Sequence, residues 1–382
     1  MRRLWIRPLL GVAVALVGAS GAGATAASGG FAAAVGAYRL ANGDVVALVL
    51  AAHQPRFVDY GTGAVRTLRE QSGGLYVGGP GASVLSPVRV RVRLGAGGRI
   101  SVDGRPGTRL AIGSKPASYR DGAVRLAGRL LVPAGGGRHP GIVIVPGSEP
   151  AHRTTYDFWA YFFAAHGFAV LTYDKRGVGD SGGTFDRSAD TANLEQLAAD
   201  ALAGLDWLRR QPEVDPTRVG LDGASQGGWV VEIAAARSSA VRFATLQSAP
   251  AMSVGRQLAY AAATRQGWID PPPSAARIAQ ALARVPDSGY DPRAAIAALR
   301  IPVLWQLGSV DKRIDTAETL TDLHRIDAAG RHAFTIRVYP GGAHSLRETP
   351  AGLIRQEQAS PGLVPGVFPD LASWLRVHAG GH

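Results

Sequence analysis

Hydrophobic and polar positions alternate along the first part of the chain. Residues 88–94 show this most clearly, with valine and arginine at successive positions, and shorter strand-like runs lie at residues 38–40 and 45–50. A period of two predicts strands that bury one face, and pairs such as Asn42-Gly43 supply the turns between them. We therefore expect residues 29–114 to form a small antiparallel β module. It carries no cluster of reactive side chains, so its expected role is structural or substrate-positioning.

From residue 115 onward, strand-like apolar runs alternate with helical patterns. The runs lie at residues 141–145, 168–173, 219–221, 241–247, 301–307 and 334–339, and the first of them is continuously apolar. Continuous apolar runs are typical of strands that are covered on both faces, and alternation with helices indicates βαβ units. We predict an α/β domain over residues 115–382, built on a doubly wound, mostly parallel sheet.

One segment breaks this alternation. Residues 252–299 show helical patterns that are interrupted by Asp270-Pro-Pro-Pro273 and by Pro286. Proline ends or kinks helices, so short helices are expected here. We predict that this insertion lies over the strand ends as a helical lid.

The N-terminus has the pattern of a secretory signal peptide. Arg2, Arg3 and Arg7 precede a short apolar run at residues 9–17, and small-residue sites of the A-x-A type follow. The run is shorter than the roughly 20 residues that span a bilayer. We predict a signal peptide over residues 1–28, no stable membrane span after its cleavage, and a secreted, periplasmic or cell-envelope location. An uncleaved N-terminal anchor is the alternative.

Composition narrows the classes of function. The net charge is +12, and arginine supplies almost all of the positive charge, since the lysines are only Lys115, Lys175 and Lys312. The arginines are dispersed and form no basic stripe with interleaved aromatics, so no nucleic-acid partner is predicted. The chain has no cysteine, which excludes thiol catalysis, disulfides and cysteine-based zinc sites.

The motif that carries chemistry is Gly223-Ala-Ser-Gln-Gly227. It follows an apolar run and precedes an alanine-rich, helix-favouring segment. A G-x-S-x-G sequence between a strand and a helix predicts a tight turn that exposes a nucleophilic serine, here Ser225. The small residues on either side allow the strand and the helix to pack closely.

Two later strand ends supply the partners that a serine nucleophile needs. Asp311 follows the run at residues 301–307, and His344 follows the run at residues 334–339. The order Ser, Asp, His is that of the α/β-hydrolases, and it predicts a catalytic triad. Asp315 is the alternative carboxylate, and Asp311 is favoured because it lies closer to the strand end. His324 and His332 are the alternatives to His344, but they lie within or just after a helical pattern.

On these residues, the chain resembles the α/β-hydrolases, and among them the exported bacterial carboxylesterases with an N-terminal β module. The matching segments lie at residues 145–150, 173–181, 223–229, 308–311 and 342–344. The resemblance covers roughly residues 115–378, and the Tyr-Asp-Lys-Arg-Gly block is its most family-specific part. It implies a serine esterase that cleaves small-molecule carboxylic esters without a metal or an organic cofactor.

The oxyanion turn departs from this family's pattern. Relatives usually carry His-Gly-Ser-Gly, whereas this chain has Pro146 in place of the histidine and Glu149 after Ser148. Because the donors in this turn are backbone amides, we expect an oxyanion hole formed by Gln226 with Ser148 or Glu149. Each such donor contributes about 3 kcal/mol in the transition state. The Glu149 carboxylate would repel an anionic substrate.

Polar residues next to this turn have expected roles too. Asp174 and Arg176 are predicted to form an ion pair that braces the neighbouring loop. His152 and Arg153 either line the acyl pocket or face solvent.

Three alternative functions stay open at this point. A peptidase of the prolyl-oligopeptidase type shares the core, but its N-terminal propeller is much larger than the β module of this chain. A thioesterase is a second alternative, although export separates the protein from cytosolic thioesters. The third is a catalytically inactive envelope-binding protein whose β module binds the partner.

Overall fold

The structure is a computed structural model that describes residues 29–51, 53–330 and 332–380. The signal peptide predicted at residues 1–28 lies outside the described residues. In the described ranges, no helix combines the length and the apolarity that crossing a membrane requires.

The N-terminal module is a closed antiparallel barrel preceded by a short helix, α1 (Gly29–Ala34). Its strands are β1 (Gly36–Leu40), β2 (Val45–Ala51), β3 (Gln54–Asp59), β4 (Val65–Ser72), β5 (Leu75–Gly78), β6 (Val90–Leu94), β7 (Arg99–Val102) and β8 (Arg105–Arg109). Strand β1 pairs with both β2 and β8, which closes the barrel and leaves no free edge.

The alternating pattern explains how the barrel strands are buried. In β6, Val90 and Val92 point into the barrel and are buried, whereas Arg91 and Arg93 are exposed. The interior also holds large side chains such as Tyr38 and Tyr76. The predicted antiparallel β module is confirmed, and the structure shows in addition that it closes into a barrel.

The second part of the chain is built on an eight-stranded sheet. Its strands are β9 (Ile112–Asp121), β10 (Val124–Pro133), β11 (His139–Val145), β12 (Ala169–Tyr173), β13 (Val214–Ala224), β14 (Ala244–Gln247), β15 (Pro302–Gly308) and β16 (Ala333–Tyr339). They lie in the order β16-β15-β14-β13-β11-β12-β10-β9. Only β10 runs antiparallel to its neighbours β9 and β12. The predicted mostly parallel, doubly wound sheet is confirmed.

Helices cover both faces of this sheet. They are α2 (Asp157–Ala165), α3 (Thr191–Arg209), α4 (Gln226–Arg237), α5 (Val254–Ala263), α6 (Ala275–Leu282), α7 (Arg293–Ala298), α8 (Thr316–Ala329), α9 (Ile354–Ala359) and α10 (Val367–His378). Residues of α3, α4, α7 and α8 form a core on one face, and residues of α2 and α10 form a core on the other. Polar caps define helix starts, as at α3, where the Asp190 carboxylate accepts the Asn193 amide at 2.8 Å.

The barrel packs on the α2 and α10 side of the sheet. Tyr60, just after β3, makes edge-on ring contacts with Phe162 of α2 and Phe368 of α10, at centroid distances of 5.3 and 5.0 Å. Its hydroxyl donates to the carbonyl oxygen of Phe158 at 2.7 Å. The barrel and the α/β domain therefore share one hydrophobic core on this side.

The segment at residues 252–299 contains the short helices α5, α6 and α7. Helix α7 contributes Ile296 to the core beside α4, and α5 lies against the loop that follows β15. There the Tyr260 hydroxyl donates to the carbonyl oxygen of Asp311 at 2.8 Å. The segment thus contacts the loop that holds Asp311.

Candidate active site

Ser225 occupies a strained turn between β13 and α4. Its backbone has φ +55°, a left-handed value that is uncommon for residues other than glycine. The flanking glycines explain the close packing, because a Cβ atom on Gly223 would lie 2.5 Å from the Gly227 carbonyl oxygen. A Cβ atom on Gly227 would lie 2.6 Å from the Val145 carbonyl oxygen. The motif therefore adopts the strand–serine–helix geometry that its sequence predicts.

Asp311 and His344 meet at the same edge of the sheet. The Asp311 carboxylate lies 2.8 Å from Nδ1 of His344, and both side chains are buried. The other carboxylate oxygen accepts the amides of Arg313 and Ile314 at 2.7 and 3.0 Å. These bonds orient the carboxylate, which can in turn hold the imidazole in one tautomer.

The alternative candidates have other contacts. Asp315 caps α8, because its carboxylate accepts the amides of Ala317 and Glu318 at 3.0 and 3.2 Å. His332 stacks on Phe334, and His324 is exposed on α8. The structure therefore brings Asp311 together with His344 and places Asp315 elsewhere.

Ser225 and His344 line one cavity of about 1030 Å³. Within the described part of the chain, no hydrogen bond joins the Ser225 hydroxyl to the His344 ring. Such bonds are often long in unliganded enzymes and shorten when the substrate binds. Ser225 and His344 thus line one cavity without a hydrogen bond between them, and Asp311 lies behind His344 on its Nδ1 side.

The predicted oxyanion turn follows β11. The backbone amides of Ser148, Glu149 and Gln226 have no hydrogen-bond acceptor among residues 29–51, 53–330 and 332–380. The Gly147 amide is not available, since it donates to the Tyr156 hydroxyl at 3.0 Å. Of these three residues, only Glu149 lines the cavity that Ser225 lines, so the oxyanion hole stays a prediction.

Lys175 links the turn after β11 to the first residue of α4. Its buried ammonium group donates to the Gly147 carbonyl oxygen at 2.6 Å and to Oε1 of Gln226 at 3.0 Å. Burial lowers the pKa of Lys175 to about 8, and the nearby charge of Glu149 acts in the opposite direction. Lys175 therefore fixes the oxyanion turn relative to the start of α4.

Glu149 lies in the cavity wall, and its carboxylate is almost fully buried. It accepts a hydrogen bond from the hydroxyl of Tyr156. Burial raises the pKa of Tyr156 well above its usual range, and the charge of Glu149 raises it further. Tyr156 therefore stays protonated and holds the carboxylate at the turn.

The expected ion pair between Asp174 and Arg176 is wrong. Asp174 instead pairs with Arg153, which also contacts Asp180. Arg176 pairs with the fully buried Asp200 and with Asp121 of β9. Proximity in the sequence misled the prediction, because both side chains find their partners on other segments, Asp174 on Arg153 and Arg176 on Asp200 of α3. His152 and Arg153 both line the cavity.

Sequence reasoning missed Tyr156 and Lys175 as parts of the site. Lys175 had a usable signal, since it is one of only three lysines in an arginine-rich chain. A compact ammonium group fits a buried carbonyl that a planar guanidinium does not. Tyr156 had no signal, because it begins an ordinary aromatic helix.

The N-terminal module supplies one wall of this cavity. Six of its residues, from α1, the α1–β1 link, β2, the β2–β3 turn and β4, line it, namely Ala32, Val35, Leu50, Ala51, His53 and Val65. Among the described residues, none from 252–299 lines this cavity. The role of residues 252–299 as a lid stays a prediction. In the structure, the N-terminal module forms part of the cavity wall.

The fold and the site define a class. A nucleophile turn after a central strand, with an Asp–His pair at later strand ends of a mostly parallel sheet, is the arrangement of an α/β-hydrolase. Residues 154–359, more than half of the chain, match the prolyl oligopeptidase family. The chain therefore belongs to this family.

Similar proteins include both esterases and peptidases. An uncharacterised 31.7 kDa protein of Escherichia coli is 33% identical over 111 residues, which are 29% of this chain and 37% of that protein. An esterase of Pyrococcus furiosus aligns with a TM-score of 0.51 at 17% identity, over 71% of this chain and 93% of its own. An acylaminoacyl peptidase of Pyrococcus horikoshii aligns with a TM-score of 0.52 at 14% identity, over 90% of this chain and 56% of its own. At these identities the two structures support the fold alone.

Proposed function

We propose that this protein is a carboxylic ester hydrolase that works through an acyl-enzyme on Ser225. The observation that carries the proposal is the Asp311–His344 pair, which opens onto the same cavity as the strained Ser225. A hydroxyl is a weak nucleophile until a neighbouring base takes its proton. The three residues supply the nucleophile, the base and the orienting carboxylate.

The reaction proceeds in two halves. His344 takes the Ser225 proton through Nε2 as Oγ attacks the ester carbonyl, and the amides of Gln226 and of Ser148 or Glu149 stabilise the oxyanion. The imidazolium then gives its proton to the departing alcohol. In the second half His344 activates a water molecule, which attacks the acyl-enzyme and releases the acid.

Ester cleavage is favoured over peptide cleavage by the size of the N-terminal module. Eight short strands over residues 36–109 form one barrel, whereas a propeller needs at least four blades of four strands each. A peptidase is the second candidate, supported by the prolyl oligopeptidase match over residues 154–359. Comparing turnover of a p-nitrophenyl ester with that of the p-nitroanilide of the same acyl group separates esterase from peptidase activity. A thioester with that acyl group tests for thioesterase activity.

The test of the proposed chemistry combines labelling with turnover. We expect a fluorophosphonate probe to label the protein, and S225A to lose both labelling and p-nitrophenyl ester turnover by about 10³-fold or more while its thermal unfolding is unchanged. Absence of labelling of the unmodified protein would support the envelope-binding alternative. Full activity in S225A would refute the assignment of the nucleophile.

We also propose export, since a charged start and a short apolar run precede the barrel. Expression of the full chain in a bacterium, followed by fractionation and N-terminal sequencing, tests this. We expect a mature N-terminus near residue 28 in the exported fraction. An intact N-terminus in the cytosolic fraction contradicts export.

A further inference from the structure

The catalytic cavity contains an arginine that no carboxylate neutralises in the part of the chain the structure describes. Arg347 follows His344 by three positions, lines the cavity and is only 2% exposed. Its Nη1 donates to the Ser360 carbonyl oxygen at 3.3 Å. Among the described residues, no acidic side chain lies within ion-pair distance of its guanidinium group. Within the described ranges, the one hydrogen-bond acceptor of this buried positive charge is therefore a neutral carbonyl oxygen.

Two other arginines of the cavity show the contrast. Arg129 forms a salt bridge with the buried Asp157, and Arg153 forms one with the buried Asp174. Their charges are therefore compensated within the protein. Arg347 differs from both, although it is more deeply buried than either.

A second buried arginine adds to the positive charge. Arg56 of β3 is 3% exposed and lies close enough for its charge to act on Arg347. Burial, with a smaller contribution from Arg56, lowers the pKa of Arg347 to about 10, so the group is charged at neutral pH. Glu357 acts on Arg347 from beyond ion-pair distance and accepts a hydrogen bond from Ser345. A buried charge such as that of Arg347 is costly to remove from water unless an opposite charge or hydrogen bonds compensate it.

We propose that Arg347 is the anion-binding residue of the catalytic cavity and that the substrate carries a free carboxylate. This inference rests on the proposed ester hydrolysis at Ser225. A guanidinium binds a carboxylate through charge-assisted hydrogen bonds, and the carboxylate supplies the counter-charge that the protein lacks. The substrate class is an ester with a carboxylate at one end, either on the acyl chain or on the alcohol.

Glu149 determines where that carboxylate can lie. Its own carboxylate is at the oxyanion turn, held by Tyr156, so a second negative charge close to the scissile carbonyl is repelled. Among the described residues, Arg347 forms no ion pair with Glu149; it bridges instead to Leu363, whose amide donates to the Gly63 carbonyl oxygen of the barrel at 2.9 Å. The preferred substrate therefore has several bonds between its carboxylate and its scissile ester.

The experiment compares acidic esters with their neutral, methyl-capped counterparts. One pair is the p-nitrophenyl monoester of adipic acid and its methyl ester, which places the charge on the acyl side. The other pair is 4-carboxyphenyl butyrate and its methyl ester, which places the charge on the leaving side. We expect kcat/KM of the unmodified protein to favour the acidic member of one pair by about 10- to 100-fold.

Variants assign this preference to Arg347. We expect R347M to reduce the acidic-to-neutral ratio of kcat/KM to near one, R347K to keep part of it, and R99M, at an exposed barrel arginine, to leave it unchanged. Equal kcat/KM within both pairs for the unmodified protein overturns the inference. So does a ratio that R347M leaves unchanged.

A binding measurement covers the case in which R347M does not fold or no ester is cleaved. Calorimetric titration of the unmodified protein with hexanoate and with hexanamide is independent of turnover. We expect hexanoate to bind about tenfold more tightly than hexanamide, and equal affinities overturn the inference. Hydrolysis of neutral esters without any acidic preference contradicts this inference alone, whereas failure to cleave any ester contradicts the proposed function.

Discussion

The two oxygens of Asp311 have different partners, which makes this residue a sharp test of the site. One oxygen accepts backbone amides of its own loop, and the other faces Nδ1 of His344 at 2.8 Å. In D311N the amide nitrogen would donate to Nδ1, which leaves the proton on Nε2 and prevents it from accepting the serine proton. We expect kcat to fall by about 10³- to 10⁴-fold with a small change in KM. Steady-state kinetics on a p-nitrophenyl ester measure this.

Asp315 offers the matched control, because it is the neighbouring carboxylate that caps α8. Asparagine is an equally good N-cap residue, so D315N should retain both activity and stability. If D315N lost activity as severely as D311N, the assignment of the orienting carboxylate would be wrong.

At the scale of single residues, the sequence was most informative where chemistry and strand ends coincide. Ser225, Asp311 and His344 each follow an apolar run, which makes them recognisable, and the structure brings the last two into contact. The role of Lys175 depends on the Gly147 carbonyl oxygen from another strand end, and that of Tyr156 depends on how the turn after β11 folds back to bring Glu149 to its hydroxyl. Neither contact leaves a periodic pattern in a single sequence.

At the scale of elements, helix α4, which begins just after Ser225, contains a buried carboxyl group without a hydrogen-bond partner among the described residues. Glu232 lies in this helix, is fully buried, and has no hydrogen-bond partner for either carboxylate oxygen within the described residues. Burial raises its pKa well above the usual range. A carboxyl whose pKa is raised on folding stabilises the fold below its unfolded pKa and loses that contribution as pH rises through its folded pKa.

The variant E232Q should therefore remove a pH-dependent cost. At pH 4, below the unfolded pKa, we expect its melting temperature to match that of the unmodified protein, because glutamine replaces a protonated carboxyl of the same shape. At pH 8 we expect E232Q to melt at least about 2–4 °C higher, the effect of about 1 kcal/mol or more. Calorimetry at both pH values measures this, with E70Q at an exposed position of β4 as the control. An advantage at pH 4 that disappears at pH 8 would contradict the sign.

Strands were predictable wherever buried positions either alternate with exposed ones or follow one another without a break in the sequence. The Val–Arg alternation of β6 and the continuous apolar runs of β11 and β12 predicted both kinds of strand correctly. Closure of the barrel was not predictable, because it depends on β1 pairing with β8 some seventy residues later. The partner of Arg176 was missed for the same reason, since Asp200 comes from the distant helix α3.

At the scale of the whole molecule, the barrel and the α/β domain meet around Tyr60. Its ring contacts Phe162 and Phe368, and its hydroxyl bonds the carbonyl oxygen of Phe158. Because both parts contribute to one core, we expect them to unfold in a single transition. The variant Y60A should lower the free energy of unfolding by about 3–5 kcal/mol, as aromatic-to-alanine changes in cores do. Urea unfolding followed by fluorescence measures it.

The variant Y60F separates ring packing from the hydroxyl and serves as the control. It keeps the aromatic contacts and loses one hydrogen bond, so the expected cost is about 1 kcal/mol. Since the barrel also forms a wall of the catalytic cavity, Y60A should raise KM, whereas Y60F should leave it near that of the unmodified protein. Two separate transitions in the unmodified protein would show that the barrel folds independently. In that case its contact with the cavity would contribute to substrate binding without contributing to the stability of the α/β domain.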